Sequence, residues 1–117
     1  ERLREYIDFY LNEAKRKVPY EIESLWINYT QQGEYQPIHH HSEDLSYNLI
    51  IHQPEGTGES GVLYFRYGEK APFNNNIYRL EPKRGDLVIF PSWVMHYVFP
   101  LNSNEERITA AGNIKLL

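Results

Sequence analysis

The stretch Gly85-Asp86-Leu87-Val88-Ile89-Phe90-Pro91 is typical of a turn that leads into a short, buried β-strand. Pro91 ends this strand, and another strand begins a few residues later at His96. The same alternation of short apolar runs with turn residues extends over most of the chain. Strands are predicted at 22–29, 45–52, 61–67, 77–80, 86–90, 94–99 and 106–115. Seven or eight short strands indicate a sandwich or a small barrel.

One helix is predicted ahead of the strands. Apolar side chains such as Leu3, Ile7 and Leu11 recur at helical spacing over residues 2–17, and Pro19 ends this pattern. We expect the apolar face of this helix to pack on one side of a sheet, and we assign no chemistry to it. The predicted fold class is therefore all-β with one N-terminal helix.

The composition supports one folded domain over residues 1–117. Hydrophobic residues make up 41% of the chain and aromatic residues 15%, and ten tyrosines favour strands over helices. A net charge of -4 argues against a nucleic-acid binder held by phosphate contacts. The absence of cysteine excludes disulfides and thiolate metal sites. The chain begins with Glu1 rather than Met, which leaves an N-terminal truncation open.

Neither a long apolar run nor a signal-peptide pattern is present in the chain. We therefore expect no membrane partner and no nucleic-acid partner. The expected location is the cytoplasm.

Three histidines are candidate metal ligands. His39 and His41 lie two residues apart, and residues at that spacing in a strand project from the same face. His96 stands among aromatic and apolar neighbours, where an unpaired polar group is costly. Metal ligation would satisfy its ring, and so would a hydrogen bond in the core; both interpretations remain open from the residues alone.

A possible anion site follows His96 by eleven positions, at Arg107. The residues from Val94 to Asn113 resemble a hairpin, which would place His96 opposite residues 107–110. Arg107 and Thr109 would share one strand face and could bind a carboxylate through a guanidinium fork and a hydroxyl. The alternative is a solvated arginine paired with Glu105 or Glu106.

At these residues the chain resembles the Fe(II)/2-oxoglutarate-dependent dioxygenases. Residues 28–39, which run from Asn28 through Gly33 to His39, resemble the approach to the metal site in prolyl-4-hydroxylase-like members. Residues 90–113, with Phe90-Pro91-Ser92-Trp93, His96 and Glu106-Arg107-Ile108-Thr109, resemble a family of bacterial and phage 2OG-Fe(II) oxygenases. The resemblance covers roughly residues 25–115, and its second half is the more specific.

The resemblance implies a double-stranded β-helix, or jelly roll, and a hydroxylase that decarboxylates 2-oxoglutarate oxidatively. The implied cofactors are Fe(II), 2-oxoglutarate and O₂, with ascorbate as a candidate addition. His39, His41 and His96 would hold the iron, and Arg107 with Thr109 would bind the far carboxylate of 2-oxoglutarate. Further candidates for the same pocket are Tyr29 and Asn113. No side chain need act as a general base, and the substrate is a peptide or a small molecule that the sequence does not identify.

The second metal ligand departs from the common pattern of the superfamily. Most members have an acidic residue where this chain has His41, and three neutral ligands leave the iron one charge more positive. Asp44 or Glu43 could serve instead, although the family that the chain resembles favours His41.

A protein of another class remains open. Gly33, His39 and His41, followed by Gly85 and His96, also resemble the two motifs of the cupins, which are jelly rolls and are often binding or storage proteins. Such a protein would bind a metal without responding to 2-oxoglutarate. A third alternative is a metal-free jelly-roll interaction domain in which the histidines are incidental.

Overall fold

The computed structural model describes residues 2–39, 41, 43–68, 72 and 76–117, and the His39 description covers its backbone only. The described chain forms one helix, α1 (Arg2–Glu13), a 3₁₀ turn at Gly58–Gly61, and antiparallel strands. The strands are β1 (Tyr20–Ile22), β2 (Trp26–Thr30), β3 (Gln36–His39), β4 (Leu45–His52), β5 (Leu63–Arg66), β6 (Ile77–Leu80), β7 (Leu87–Pro91), β8 (Met95–Val98) and β9 (Arg107–Leu116). The predicted fold class is confirmed.

The strands form two sheets that enclose a common interior. The larger sheet has the order β1-β9-β4-β7, with β2 on the same edge of β9 as β1, and the smaller has the order β3-β8-β5-β6. Leu63 and Phe65 of the smaller sheet pack against Phe90 of the larger one. This arrangement is the predicted jelly roll.

The outer face of the larger sheet is covered by α1. Ile7 and Leu11 of the helix are buried against Leu45, Tyr47 and Ile114. Burial of these five large side chains between the helix and the sheet explains why a helix of this length, which is marginal alone in water, is stable here. The described part of the chain has no helix that is long and apolar enough to span a membrane.

The helix ends earlier than predicted, at Glu13 rather than near Pro19. Lys15 adopts a left-handed backbone with φ of 56°. Its N–H donates to the Asn12 carbonyl, and the Arg16 N–H donates to the Leu11 carbonyl. These two bonds terminate the helix through a left-handed residue, a motif that glycine usually supplies and that the sequence did not indicate.

The strand predicted over residues 22–29 is divided into β1 and β2, which pair with different parts of β9. Ser24 lies at the break. Its hydroxyl accepts from the Asn113 N–H, and its carbonyl accepts from the Tyr47 hydroxyl at 2.8 Å. The hydroxyls of Ser24 and Tyr47 therefore satisfy the Asn113 N–H and the Ser24 carbonyl. In a continuous strand, hydrogen bonds between backbone groups would have done so.

The predicted hairpin between β8 and β9 is wrong. β8 pairs with β3 and β5, whereas β9 pairs with β1, β2 and β4, so the connection crosses from one sheet to the other. Leu101, only 2% exposed, anchors this crossover, and its backbone exchanges hydrogen bonds with Glu34 and Gly33. Burial of Leu101 against the β2–β3 connection thus replaces the tight turn that a hairpin would need.

Candidate functional site

A cleft of about 380 Å³ lies between the two sheets. Its walls include residues of β2 and β3, which are edge strands of the larger and the smaller sheet. Both sheets contribute side chains to its walls. The described lining residues are Trp26, Asn28, Gln36, Pro37, His41, Ser46, Tyr47, Asn48, Leu63, Phe90, His96, Ala111 and Gly112.

His96 lies in this cleft and is only 5% exposed. It pairs across the smaller sheet with Phe65, and its ring meets the Phe90 ring edge-on with centroids 4.9 Å apart. The Nδ1 atom lies 3.1 Å from the Val94 carbonyl oxygen, so a neutral ring donates from Nδ1. That hydrogen bond places the lone pair on Nε2, which is the usual arrangement for a histidine that ligates a metal.

His41 is brought to His96 by a different route from the one predicted. β3 ends at His39, so His41 lies beyond the strand, and the argument from a shared strand face does not apply to it. Its backbone N–H instead donates to the Ser92 carbonyl at 2.9 Å. The His41 ring stacks on the His96 ring with a centroid separation of 5.2 Å and an interplanar angle of 23°.

Ser92 connects the two halves of the site. It is fully buried, its N–H donates to the Asp44 carbonyl, and its hydroxyl lies 2.8 Å from the Ser46 hydroxyl. These bonds fasten the turn before His96 to the segment that carries His41. The sequence analysis did not single out Ser92, although it stands inside the Phe90-Pro91-Ser92-Trp93 motif.

The backbone of His39 lies directly opposite His96 in the β3–β8 register. Directly opposed residues of an antiparallel pair have Cα atoms roughly 4.5–5.5 Å apart. The backbone of His39, the first predicted ligand, therefore lies beside His96, the third. Its side chain and all of His40 lie outside what the structure describes.

The histidine pair fits a metal ion. Two imidazoles that ligate one ion through bonds of about 2 Å have ring centroids roughly 5 Å apart, as the His41 and His96 rings do. Among the described side chains no group of three His, Cys, Asp or Glu residues that could hold a metal is found, and the His39 side chain lies outside those described. The donor set of neutral imidazoles suits a divalent first-row metal.

The two acidic alternatives to His41, Glu43 and Asp44, do not line the cleft, and the Asp44 carboxylate has a hydrogen-bond partner outside it. The Asp44 carboxylate accepts from the Leu116 N–H at 2.8 Å, on an exposed side of the sheet. His41 is among the described residues that line the cleft, whereas Glu43 and Asp44 are not. The geometry therefore favours His41 over both carboxylates.

Arg107 is buried at the start of β9, with 6% exposure. Its Nη1 donates to the Ser60 carbonyl at 2.9 Å, and burial lowers the pKa of the guanidinium. The alternative of a solvated arginine paired with Glu105 or Glu106 is wrong. Those glutamates instead contact His52 and Gln31.

Within the described part of the chain, Arg107 forms no ion pair with a carboxylate. Residues two and four positions apart on a strand share a face, so Arg107 lies on the same face of β9 as Ala111, which lines the cleft. A buried guanidinium without an anion is costly, because it has lost water and gained no opposite charge. This arrangement is expected of a site that receives an anionic ligand.

Thr109 is also buried, and Asn28 links it to the cleft. The Asn28 Nδ2 lies 3.5 Å from the Thr109 hydroxyl, and Asn28 lines the cleft. Tyr29 is 60% exposed, pairs with Ile108, and is not among the described lining residues. Strand alternation explains the difference, because Asn28 and Tyr29 must point to opposite faces and only the tertiary structure shows which face is internal.

Asn113 is buried at the far end of the same face of β9. Its Oδ1 accepts from the Ser46 hydroxyl at 2.9 Å, and that hydroxyl also meets Ser92. This chain of bonds joins β4, β9 and the turn before β8. The structure therefore places Asn113 in a network that supports the histidines, and the described cleft lining includes Ser46 but not Asn113.

Comparison with known proteins assigns the class. Residues 24–113 match the family described as "Putative 2OG-Fe(II) oxygenase", and since this match covers more than half of the chain, the protein belongs to that family. The resemblance noted from the sequence is confirmed. No curated protein matches the chain.

The fold is similar to that of a solved structure, the "Oxidoreductase, 2OG-Fe(II) oxygenase family" from Burkholderia pseudomallei. The TM-score is 0.73 at 14% sequence identity, and the alignment covers 92% of this chain. It covers 50% of the other protein, so this chain spans half the length of that relative. At this identity the likeness shows the jelly-roll fold.

Proposed function

We propose that this protein is an Fe(II)- and 2-oxoglutarate-dependent oxygenase. It couples the oxidative decarboxylation of 2-oxoglutarate to the hydroxylation of a C–H bond in a prolyl or small-molecule substrate. The observation that carries the proposal is Arg107, a buried guanidinium without a carboxylate partner in the described chain, on the inward face of the strand that borders the histidine cleft. A metal-binding jelly roll that does not use an anionic co-substrate has no need of such a group.

His39, His41 and His96 hold the Fe(II) in this proposal. Supporting this assignment are the stacked His41 and His96 rings, the Nδ1 hydrogen bond of His96, and the position of the His39 backbone opposite His96. When bound, the iron supplies the redox chemistry by which 2-oxoglutarate and O₂ give succinate, CO₂ and the hydroxylated substrate. Three protein ligands leave coordination positions open for the co-substrate.

Arg107 binds the far carboxylate of 2-oxoglutarate, and the Thr109 hydroxyl adds a donor. The guanidinium has five N–H donors, and one of its nitrogens is directed to the Ser60 carbonyl, which fixes the side chain and leaves donors for a bidentate contact. A carboxylate at this position would restore the charge balance that burial removed. The same contact would orient the keto-acid end of the molecule toward the histidines.

The apolar walls keep water away from the reacting atoms. Phe65 and Phe90 pack on the His96 ring, and Leu63 lines the cleft beside them. A dry cavity strengthens the electrostatic contacts that position the co-substrate and protects the reaction from water. No described side chain is required to act as a general base, because the reaction begins with redox chemistry rather than proton abstraction.

A succinate-release assay with Fe(II), ascorbate and 2-oxoglutarate tests the proposal directly. Peptides and metabolites would be supplied as a panel, because the proposal includes both classes of substrate. Succinate formation that requires both Fe(II) and 2-oxoglutarate is expected. A protein that retains metal but neither binds nor consumes 2-oxoglutarate would instead be a cupin-type metal-binding protein.

A further inference from the structure

Asn48 occupies an unusual position for an amide side chain. It lies on β4 between Ala111 of β9 and Val88 of β7, and it lines the histidine cleft. Its Oδ1 is buried and has no hydrogen-bond partner among the described residues. A buried acceptor without a donor is destabilising, and such groups are few in folded proteins. A donor supplied by a ligand would account for it.

The co-substrate cannot supply that donor. At neutral pH 2-oxoglutarate is a dianion whose polar atoms are all acceptors, so none of them can satisfy the Asn48 oxygen. Of the two organic ligands in the proposed reaction, the substrate is the one that can present an N–H or O–H group to this oxygen.

The donor belongs to an uncharged group. Among the described residues that line the cleft there is no Asp, Glu, Lys or Arg. Carboxamides take their place, from Asn28, Gln36 and Asn48. A charged substrate group would gain no opposite charge from these side chains, whereas an amide finds groups of matching polarity.

A second cleft of about 540 Å³ shares Gln36 and Pro37 of β3 with the first as lining residues, and Arg66 is the one charged residue among its described lining. β3 is the edge strand of the smaller sheet, and exposed Tyr35 and Phe99 line the second cleft. An edge strand that lines two clefts suits an extended chain, whose amides recur along its length. A compact small molecule would occupy the first cleft only.

We propose that the substrate is an extended peptide segment that is uncharged where it enters the histidine cleft, and that one of its backbone N–H groups donates to Oδ1 of Asn48. This inference rests on the proposed oxygenase function, because it assumes that 2-oxoglutarate occupies the Arg107 end of the interior. It makes Asn48 a substrate-binding residue with no part in metal binding.

The test measures binding to the anaerobic Fe(II)–2-oxoglutarate complex through the fluorescence of Trp26, which lines the cleft. Trp93→Phe removes the other tryptophan. The first probe is acetyl-tetraalanine amide, and further probes replace one amide N–H at a time with an ester oxygen. One such ester should bind roughly tenfold more weakly than the peptide, since it lacks the donor to Asn48.

Asn48→Leu provides the decisive comparison. This variant should bind the peptide roughly tenfold more weakly and no longer distinguish the peptide from that ester. Its thermal unfolding midpoint should be unchanged or higher, because it removes a buried, unsatisfied acceptor; a merely structural Asn48 would instead lower the midpoint. Asn104→Leu, at an exposed site, is the matched control and should behave like the parent protein.

Several outcomes would overturn the inference. One is an Asn48→Leu variant that binds the peptide with the affinity of the parent protein. Another is an equal affinity of the parent protein for the peptide and every ester. A third is tighter binding of uracil or acetyl-tetraaspartate amide than of the neutral peptide. Absence of peptide binding to a complex that holds 2-oxoglutarate overturns this inference alone. Absence of 2-oxoglutarate binding overturns the proposed function first.

Discussion

The rings of His41 and His96 stack with their centroids 5.2 Å apart, although 54 residues of sequence lie between them. Ser92 makes this possible, since its carbonyl accepts from the His41 N–H and its own position in the turn fixes the approach of the chain to His96. The pair is therefore positioned by backbone contacts before any metal binds. This pre-positioning reduces the conformational entropy that metal binding would otherwise cost.

His41→Ala and His96→Ala should each abolish retention of Fe(II), because either substitution removes one of three ligands. His52→Ala is the matched control: His52 is a described, partly exposed histidine that contacts Glu105, and its loss should leave metal retention intact. His40→Ala should likewise have little effect. Iron content after anaerobic gel filtration, measured by mass spectrometry, provides the readout. Loss of metal in Asp44→Asn but not in His41→Ala would show that the site uses the carboxylate instead.

Arg107→Ala should weaken 2-oxoglutarate binding while the iron stays bound. Removing one partner of a desolvated charge pair costs about 2–5 kcal/mol. That cost corresponds to a loss of affinity of roughly 30-fold to several thousand-fold. Arg107→Lys should recover only part of this loss, because an ammonium group cannot form the bidentate fork. The measurement is a titration of the anaerobic Fe(II) protein, followed by its metal-to-ligand charge-transfer band.

Arg79→Ala controls for general effects of removing an arginine, since Arg79 pairs with Glu59 at the surface. It should titrate with 2-oxoglutarate as the parent does. A parent protein with no charge-transfer band at millimolar 2-oxoglutarate, or an Arg107→Ala variant with unchanged affinity, would contradict the assigned role of Arg107.

Asn113→Ala should destabilise the fold more than it affects the co-substrate. The substitution removes one of the two described partners of the buried Ser46 hydroxyl and leaves the Ser92 hydroxyl as the other, which costs about 0.5–1.5 kcal/mol in the free energy of unfolding. Urea denaturation measures this change, and Asn113→Asp, which keeps an acceptor, should recover part of it. A large drop in 2-oxoglutarate affinity at unchanged stability would indicate a direct contact instead, as the family resemblance implied.

Gly112→Ala should be among the most disruptive small substitutions. A Cβ at this position would overlap the Ser24 carbonyl oxygen and the Tyr47 hydroxyl, which are hydrogen-bonded to each other across the glycine. Overpacking of this kind costs about 1–3 kcal/mol or more, and here the obstacle is backbone. Gly56→Ala meets no atom within 4 Å and incurs only its left-handed backbone cost of about 1–2 kcal/mol. Comparing the two by thermal denaturation separates crowding from backbone strain, and an equal loss in both variants would refute the crowding argument.

Much of the local structure could be predicted from the sequence. The bounds of β4 and β6 agree with the prediction, because alternating apolar residues and flanking turn residues are local signals. The predicted end of α1 was wrong, because the helix ends at Glu13 through a left-handed Lys15. A left-handed lysine is energetically unfavourable, and no local sequence pattern predicts it. The division of the 22–29 strand at Ser24 depended on groups from Tyr47 and Asn113, which are distant in sequence.

The sequence by itself determined the residue types of the candidate site: three histidines, and an arginine and a threonine two residues apart on one strand. Only the tertiary structure decided that β9 joins the sheet opposite β8, that Asn28 rather than Tyr29 faces inward, and that Asn48 enters the cleft. The physical reason is that spacing fixes which side chains share a face of one strand. Which face is buried, and against which strand, depends on the packing of the whole chain.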